Sequence, residues 1–302
     1  MSIDIIPAPV RVRSKGGQIP KRTVCIPYKR SETMDYKIIV LDLDGTLTNR
    51  NKEITPRTKE TLMEAQRQGK TVILASGRPT YGVMPLAREL CLEEYGGYIL
   101  SFNGGIIMNC RTNETVFSRQ LPIGANSTIA DLATEHGVNI LTYEGNKIIA
   151  SNKDCPYTQL ESRVNHLEIQ EVEDFKKYVI FAVPKFLMTD DGDYLALVEP
   201  KVKAALGKNF SVYRSEPFFL EILPRGIDKA KSLERLLNTL GLSKTQMIAC
   251  GDGYNDLTMI QYAGLGVAMG NGVLPVRKAA DYITLSNDED GIAHVVEKFM
   301  LS

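Results

Sequence analysis

The sequence predicts an α/β protein: a doubly wound, mainly parallel sheet with helices on both faces, carrying an inserted α+β module. Three observations predict it. Short, continuous apolar runs such as Ile38-Ile39-Val40-Leu41 have the composition of strands buried on both faces. Helical stretches with recognisable start and stop signals alternate with these runs, as a parallel sheet requires. The rhythm breaks near residue 117 and resumes near residue 224, so the module between, 117–223, is read as an insertion into a core made of 34–116 and 224–302.

The elements follow in order. After the first strand, Thr55-Pro56 supplies an N-cap and a Pro at the first helical position, opening a helix that ends near Gly69. Thr71 to Ala75 is a second buried strand, a helix spans about 79–91, and Tyr98 to Ser101 is a third strand. Ile106 to Met108 and Thr115 to Ser118 read as a hairpin. Inside the insertion, helices are expected at about 123–136, 156–166 and 191–206. Strands are expected there at 138–143, 147–150, 177–183, 210–214 and 217–222. The core then resumes with a helix from Asp228 to about Leu240, a strand at Met247 to Cys250 and a helix from about Asn255. Strand Gly266 to Met269, a short helix at 275–280, strand Tyr282 to Thr284 and a last helix from about 290 close the chain.

Composition bounds the function. The 302 residues carry 36 basic and 36 acidic side chains, and 43% are hydrophobic, as in an ordinary globular protein with a full core. Zero net charge argues against broad nucleic-acid binding. No apolar run approaches the ~18 residues of a membrane span, and no signal-peptide pattern is present. Five dispersed cysteines without a C-x-x-C pair read as reduced thiols of a cytoplasmic protein. Only three scattered histidines are present, so any metal is expected on oxygen ligands. Residues 1–33 hold seven basic and two acidic side chains, a net +5 that leaves −5 on 34–302; this segment reads as a disordered extension. The sequence carries no signal for oligomeric state.

Four polar clusters sit where predicted strands end, which is where such sheets bind ligands. Asp42-Leu43-Asp44-Gly45-Thr46 places two carboxylates together as the chain leaves the first strand. That is either a turn with solvated acids or a site for a shared cation, and its hard oxygen donors suit Mg²⁺. Ser76-Gly77-Arg78 offers a hydroxyl and backbone N–H groups to an anion, though Ser-Gly is also an ordinary loop signal. Asn103-Gly104-Gly105 reads by default as a turn. Lys229 follows the N-cap Asp228, at the helix end that disfavours a cation unless a dianion is bound there. Gly251-Asp252-Gly253-Tyr254-Asn255-Asp256 again crowds acids and glycines at a strand end; Asp256 suits a helix's first turn, whereas Asp252 is better explained as a cation ligand.

In this order the four clusters closely resemble the haloacid dehalogenase (HAD) superfamily of phosphatases. Ser101-Phe102-Asn103-Gly104-Gly105 and Gly266-Val267-Ala268-Met269-Gly270-Asn271 resemble its Cof-type, class IIB sugar-phosphate phosphatases. The resemblance covers residues 34–302; Gly105 stands where the family often has Ala, and Ala230 where it often has Gly. It implies a Rossmann-like HAD core with a C2B cap. It also implies an Mg²⁺-dependent phosphatase acting on small phosphorylated metabolites, with Asp42 as nucleophile and Asp44 as general acid and base. Leu43, Ser76, Gly77, Lys229 and Asn255 would bind the phosphate. Asp42, the Asp44 carbonyl, Asp252 and Asp256 would hold the metal. A phosphomutase and a non-catalytic phosphosugar-binding protein are the alternatives. Tyr143, Glu144, Asn146, Tyr213, Arg214 and Glu216 are candidate substrate-facing residues of the insertion, or equally a solvated sheet edge.

Overall fold

A computed structural model describes residues 35–301. The basic extension lies outside the described residues, apart from which the elements follow in chain order. The first part contains β1 (Ile38–Leu41), α1 (Pro56–Arg67), β2 (Thr71–Ala75), α2 (Thr80–Glu89), α3 (Leu92–Tyr95), β3 (Tyr98–Ser101), β4 (Ile106–Asn109) and β5 (Thr115–Ser118). The middle contains α4 (Asn126–Glu135), β6 (Asn139–Glu144), β7 (Lys147–Ala150), α5 (Pro156–Asn165), β8 (Glu168–Glu171), α6 (Phe175–Tyr178), β9 (Phe186–Thr189), α7 (Gly192–Leu206), β10 (Phe210–Glu216) and β11 (Phe219–Pro224). The last part contains α8 (Lys229–Leu240), β12 (Met247–Gly251), α9 (Leu257–Tyr262), β13 (Leu265–Ala268), α10 (Leu274–Ala279), β14 (Tyr282–Ile283) and α11 (Gly291–Phe299).

Two sheets result. The larger has the order β14-β13-β12-β1-β2-β3-β4-β5, parallel from β14 to β3 and antiparallel at β4 and β5. Its central strands bury both faces, which is why they read as unbroken apolar runs. Ile39, Leu41, Val72, Leu74, Ile248 and Cys250 pack on one face with residues of α1, α2 and α11. Ile38, Val40, Ile73, Ala75, Met247 and Ala249 pack on the other with Leu233, Leu236 and Leu237 of α8. The order reverses at β1, flanked by β2 on one side and β12 on the other. The crevice outside their carboxyl ends is the place where such sheets receive ligands.

The second sheet has the order β10-β11-β9-β6-β7-β8 and is antiparallel except for the β7–β8 pair. Residues of α4 and α7 cover one face, packing Ile129, Leu195 and Val198 on Phe186, Met188, Leu220 and Ile222. The opposite face carries Leu141, Tyr143, Leu187 and Phe219 and packs against Phe102 of the larger sheet's loops. The Phe102 and Tyr143 rings meet edge-on at 5.4 Å. At another meeting point α5 lies so close to α2 that a Cβ on Gly82 would sit 2.5 Å from Asn165 Oδ1.

One expected strand is corrected. Residues 177–183 do not form a strand: they hold the end of α6 and an irregular segment, and the sheet strand is β9, further on. Asp174 caps α6 by accepting from Lys177 N at 2.9 Å. Asn126 Nδ2 then donates to Val179 O and Phe181 O at 2.9 and 2.8 Å, so side-chain bonds replace ladder bonds there. β8, with the polar sequence Glu-Ile-Gln-Glu, was not expected. The helix expected over 79–91 ends at Glu89, because Leu90 leaves helical geometry and Cys91 turns left-handed before α3.

Candidate active site

The four clusters converge at the carboxyl ends of β1, β2 and β12. Asp42 follows β1 directly and is 6% exposed. Lys229, in the first turn of α8, reaches across the sheet edge and is 1% exposed. Its Nζ donates to Asp42 Oδ1 at 2.7 Å, to Asp256 Oδ1 at 2.7 Å and to Ala75 O at 2.8 Å. All three ammonium protons are thereby used, which is what a fully buried lysine needs. The helix start places it: Asp228 accepts from Lys231 N, so α8 begins at Lys229.

Asp256 is held from behind, its Oδ2 accepting from Asp252 N and Gly253 N at 3.0 and 2.9 Å. Asp252 accepts from Thr46 Oγ1 at 2.9 Å. Gly45 has φ +83°, and a Cβ there would lie 2.5 Å from Asp252 Oδ2. Only glycine allows the β1 loop to take this conformation and approach the β12 loop so closely. Ser76 is buried after β2, its Oγ accepting from Arg78 N at 3.1 Å. Gly77 lies against the Asn103 side chain, where a Cβ would be 3.3 Å from the amide. Asn255 Nδ2 donates to Asn103 Oδ1 at 3.2 Å. Leu43 is buried, and its carbonyl accepts from Thr46 N, Thr48 N and Thr48 Oγ1.

Electrostatics follow from burial. Asp42 is pushed up to about 8 by burial and by the charge of Asp256, with Lys229 opposing. Asp252 is pushed up to about 6, chiefly by burial and against the Thr46 hydrogen bond. Burial works against the charge of Lys229, but Asp256 and Asp42 outweigh it and raise its pKa. Asp42, Asp252 and Asp256 offer carboxylate oxygens within 4.8 Å of one another. Three acids facing one lysine leave a deficit of positive charge, and the donors are all hard oxygens. That set fits a divalent cation.

Asp44 stands apart from this trio. Arg78 Nη2 and Nε donate to its two oxygens at 2.6 and 2.8 Å, and Lys52 adds a bond at 2.7 Å. Burial tends to raise its pKa, but the Arg78 and Lys52 bonds prevail and hold it below the usual carboxylate value. Arg78 Nη1 also donates to Val164 O of α5 at 3.3 Å.

Of the candidates in the middle region, Tyr143 and Tyr213 lie on the face turned to the larger sheet, with Asn103 Nδ2 donating to Tyr213 OH at 3.2 Å. Arg214 turns the other way, bonding Glu199 and Gly192 O of α7. Glu144 accepts from Tyr178 OH, and Asn146 and Glu216 are exposed. Sequence reasoning read Asn103 as part of a turn and gave no role to Lys185 or Glu221. A single Glu within the apolar run Phe219 to Leu223 was the available signal for the last.

A doubly wound sheet with carboxylates and a buried lysine at its switch point, faced by a second sheet, defines a class of capped α/β hydrolases. The chain belongs to the haloacid dehalogenase-like hydrolase family, whose profile matches residues 39–296. It is 33% identical over 270 residues to YxeH of Bacillus subtilis (strain 168), covering 88% of this chain and 99% of that one. It is 29% identical over 270 residues to the 5-amino-6-(5-phospho-D-ribitylamino)uracil phosphatase YcsE of the same organism, covering 89% and 98%. A solved haloacid dehalogenase-like hydrolase from Bacteroides thetaiotaomicron superposes with a TM-score of 0.85 at 50% identity, covering 87% of this chain and 99% of that one.

Proposed function

We propose that the protein is a Mg²⁺-dependent phosphatase of small phosphorylated metabolites, chiefly sugar or polyol phosphates, working through an aspartyl-phosphate on Asp42. The observation that carries this reading is the buried Asp42–Lys229–Asp256 chain with Asp252 beside it at the switch point. YcsE, by its name, acts on a phosphorylated ribityl compound, which supports a hydroxyl-rich leaving group.

In this reading Asp42, the Asp44 carbonyl, Asp252 and Asp256 would hold the Mg²⁺, which would supply positive charge for the phosphate dianion and for Asp42. Lys229 fixes the Asp42 carboxylate and adds its own charge on the phosphoryl side. Ser76, Asn255 and the backbone N–H groups of Leu43 and Gly77 bind the remaining phosphate oxygens. Asp42 attacks phosphorus as the bond to the leaving oxygen breaks. Asp44 gives a proton to that oxygen, then takes one from the water that hydrolyses the acyl phosphate. Its bonds to Arg78 and Lys52 favour the ionised form, so donation requires them to loosen when substrate enters. Residues 117–223 act as a cap that excludes bulk water.

Phosphate release from p-nitrophenyl phosphate and hexose phosphates, with and without Mg²⁺, tests the reading. Turnover is expected only with Mg²⁺. Asp42→Asn is expected to lower kcat by about a thousandfold or more with the fold retained. Absence of turnover on a broad phosphometabolite panel would overturn the assignment.

A further inference from the structure

The chain crosses between the two sheets twice, and cations gather where the crossings meet. β5 leads towards α4 through residues 119–122, and β11 leads back to α8 through residues 225–228. Gly226, on the return crossing, has φ +77°, and the point where its Cβ would stand is 3.9 Å from Arg119 Nη1 and 4.0 Å from Lys231 Nζ. Apart from the adjoining residues of the chain, no other described heavy atom lies within 4 Å of that point. The two cationic ends therefore border open space, which Gly226 keeps free by having no side chain. This place is separate from the catalytic crevice. Lys231 lies two positions beyond the buried Lys229, which puts it on the opposite side of α8, and it is exposed. Arg235, one turn further on the same side, sets its guanidinium 4.7 Å from the Phe117 ring centroid of β5.

Two observations mark the junction as an anion site. Among the described residues, Arg119, Lys231 and Arg235 form no salt bridge and donate no side-chain hydrogen bond, although the chain has 36 acids for its 36 bases. Other exposed cations, such as Arg50, Arg57 and Lys176, do reach an acid. Asp228 is close in sequence, but it caps α8 by accepting from Lys231 N. Arg225, beside Gly226, adds a further positive charge and donates to Lys208 O. The second observation is repulsion: like charges at i and i+4 of a helix destabilise it, and Arg119 converging on Lys231 adds to the cost. An oxyanion between them reverses the sign of that interaction. Arginine brings a planar fork and lysine a point charge, both suited to phosphate oxygens.

We propose that Arg119, Lys231 and Arg235 bind inorganic phosphate outside the catalytic crevice and that the bound ion ties the two crossings together. Arg119 belongs to one crossing and Lys231 follows the other, so an ion held by both opposes a change in the angle between the sheets. The free phosphate ion is the occupant because only charged ends border the space, and no wall is near enough to recognise a carbon skeleton.

Calorimetric titration with inorganic phosphate in EDTA at low ionic strength isolates this site, since Asp42, Asp252 and Asp256 repel an anion when no divalent cation is present. The wild type is expected to bind one phosphate per chain. Arg119→Gln and Lys231→Gln are each expected to weaken that binding at least about tenfold. Both side chains are exposed, so the variants are expected to keep the wild-type Tm. With Mg²⁺ and p-nitrophenyl phosphate, phosphate is expected to lower the wild-type kcat by slowing the opening that product release needs, and to raise KM at the crevice. In the variants only the effect on KM is expected to remain. No phosphate binding in EDTA, or binding that neither variant weakens, overturns the proposal. A kcat effect that persists in both variants overturns the tie between the crossings. The EDTA titration needs no turnover, so its outcome does not depend on the phosphatase reading.

Discussion

Lys229 is a cation in the first turn of a helix, where the helix dipole opposes it. Contacts at 2.7 Å to Asp42 and Asp256 offset that mismatch. The same carboxylates create a pH dependence. Asp42 and Asp252 are raised to about 8 and about 6 from an ordinary 3.8. Between these values the folded protein keeps protons that the unfolded chain has released. Stability without a divalent cation should therefore fall as pH rises from about 4 towards 8. Adding Mg²⁺ is expected to raise Tm more at pH 8 than at pH 5 in calorimetric scans at fixed ionic strength; equal shifts would contradict the ligand set. These acids were legible because chemistry crowds them at strand ends. Lys185 and Glu221 were not, because a charge in an apolar strand declares its face only once the neighbouring strands are known.

Among elements, α8 does the most for the site. Leu233, Leu236 and Leu237 anchor it under β1 and β12, and its first residue is the buried lysine. The Asp228 cap fixes where that turn begins. Asp228→Ala is expected to cost about 1 kcal/mol in denaturant unfolding and to lower kcat through a misplaced Lys229. Loss of stability with kcat intact would mean that the buried ion pairs alone hold the lysine. Strands β1, β2, β12 and β13 were readable from continuous apolar runs, since both of their faces are covered. Residues 177–183 have an equally apolar pattern yet form no strand. The bonds that hold them come from Asn126, about fifty positions away, which a local pattern cannot reveal.

Across the whole molecule, the two sheets meet through a few small contacts: Phe102 on Tyr143, Asn103 on Tyr213, Arg78 on Val164 and Gly82 on Asn165. Gly82→Val is expected to push α5 off α2, to cost about 1–3 kcal/mol and to lower kcat/KM, measured by denaturation and steady-state kinetics. Unchanged kcat/KM would show that this contact does not seat the cap. The sheet order carries a further consequence. The central strand β1 pairs with β12, which lies about two hundred residues later in the chain. During synthesis β1 leaves the ribosome long before β12, its second neighbour, exists, while the local strand pairs of the second sheet can already assemble. The crevice at the carboxyl ends of β1 and β12 is thus completed near the end of translation, and folding is expected to be slow for the protein's size. A chain that stalls before Met247 would present the apolar edge of β1 to other nascent chains, which makes the interval before β12 emerges the time of greatest need for a chaperone.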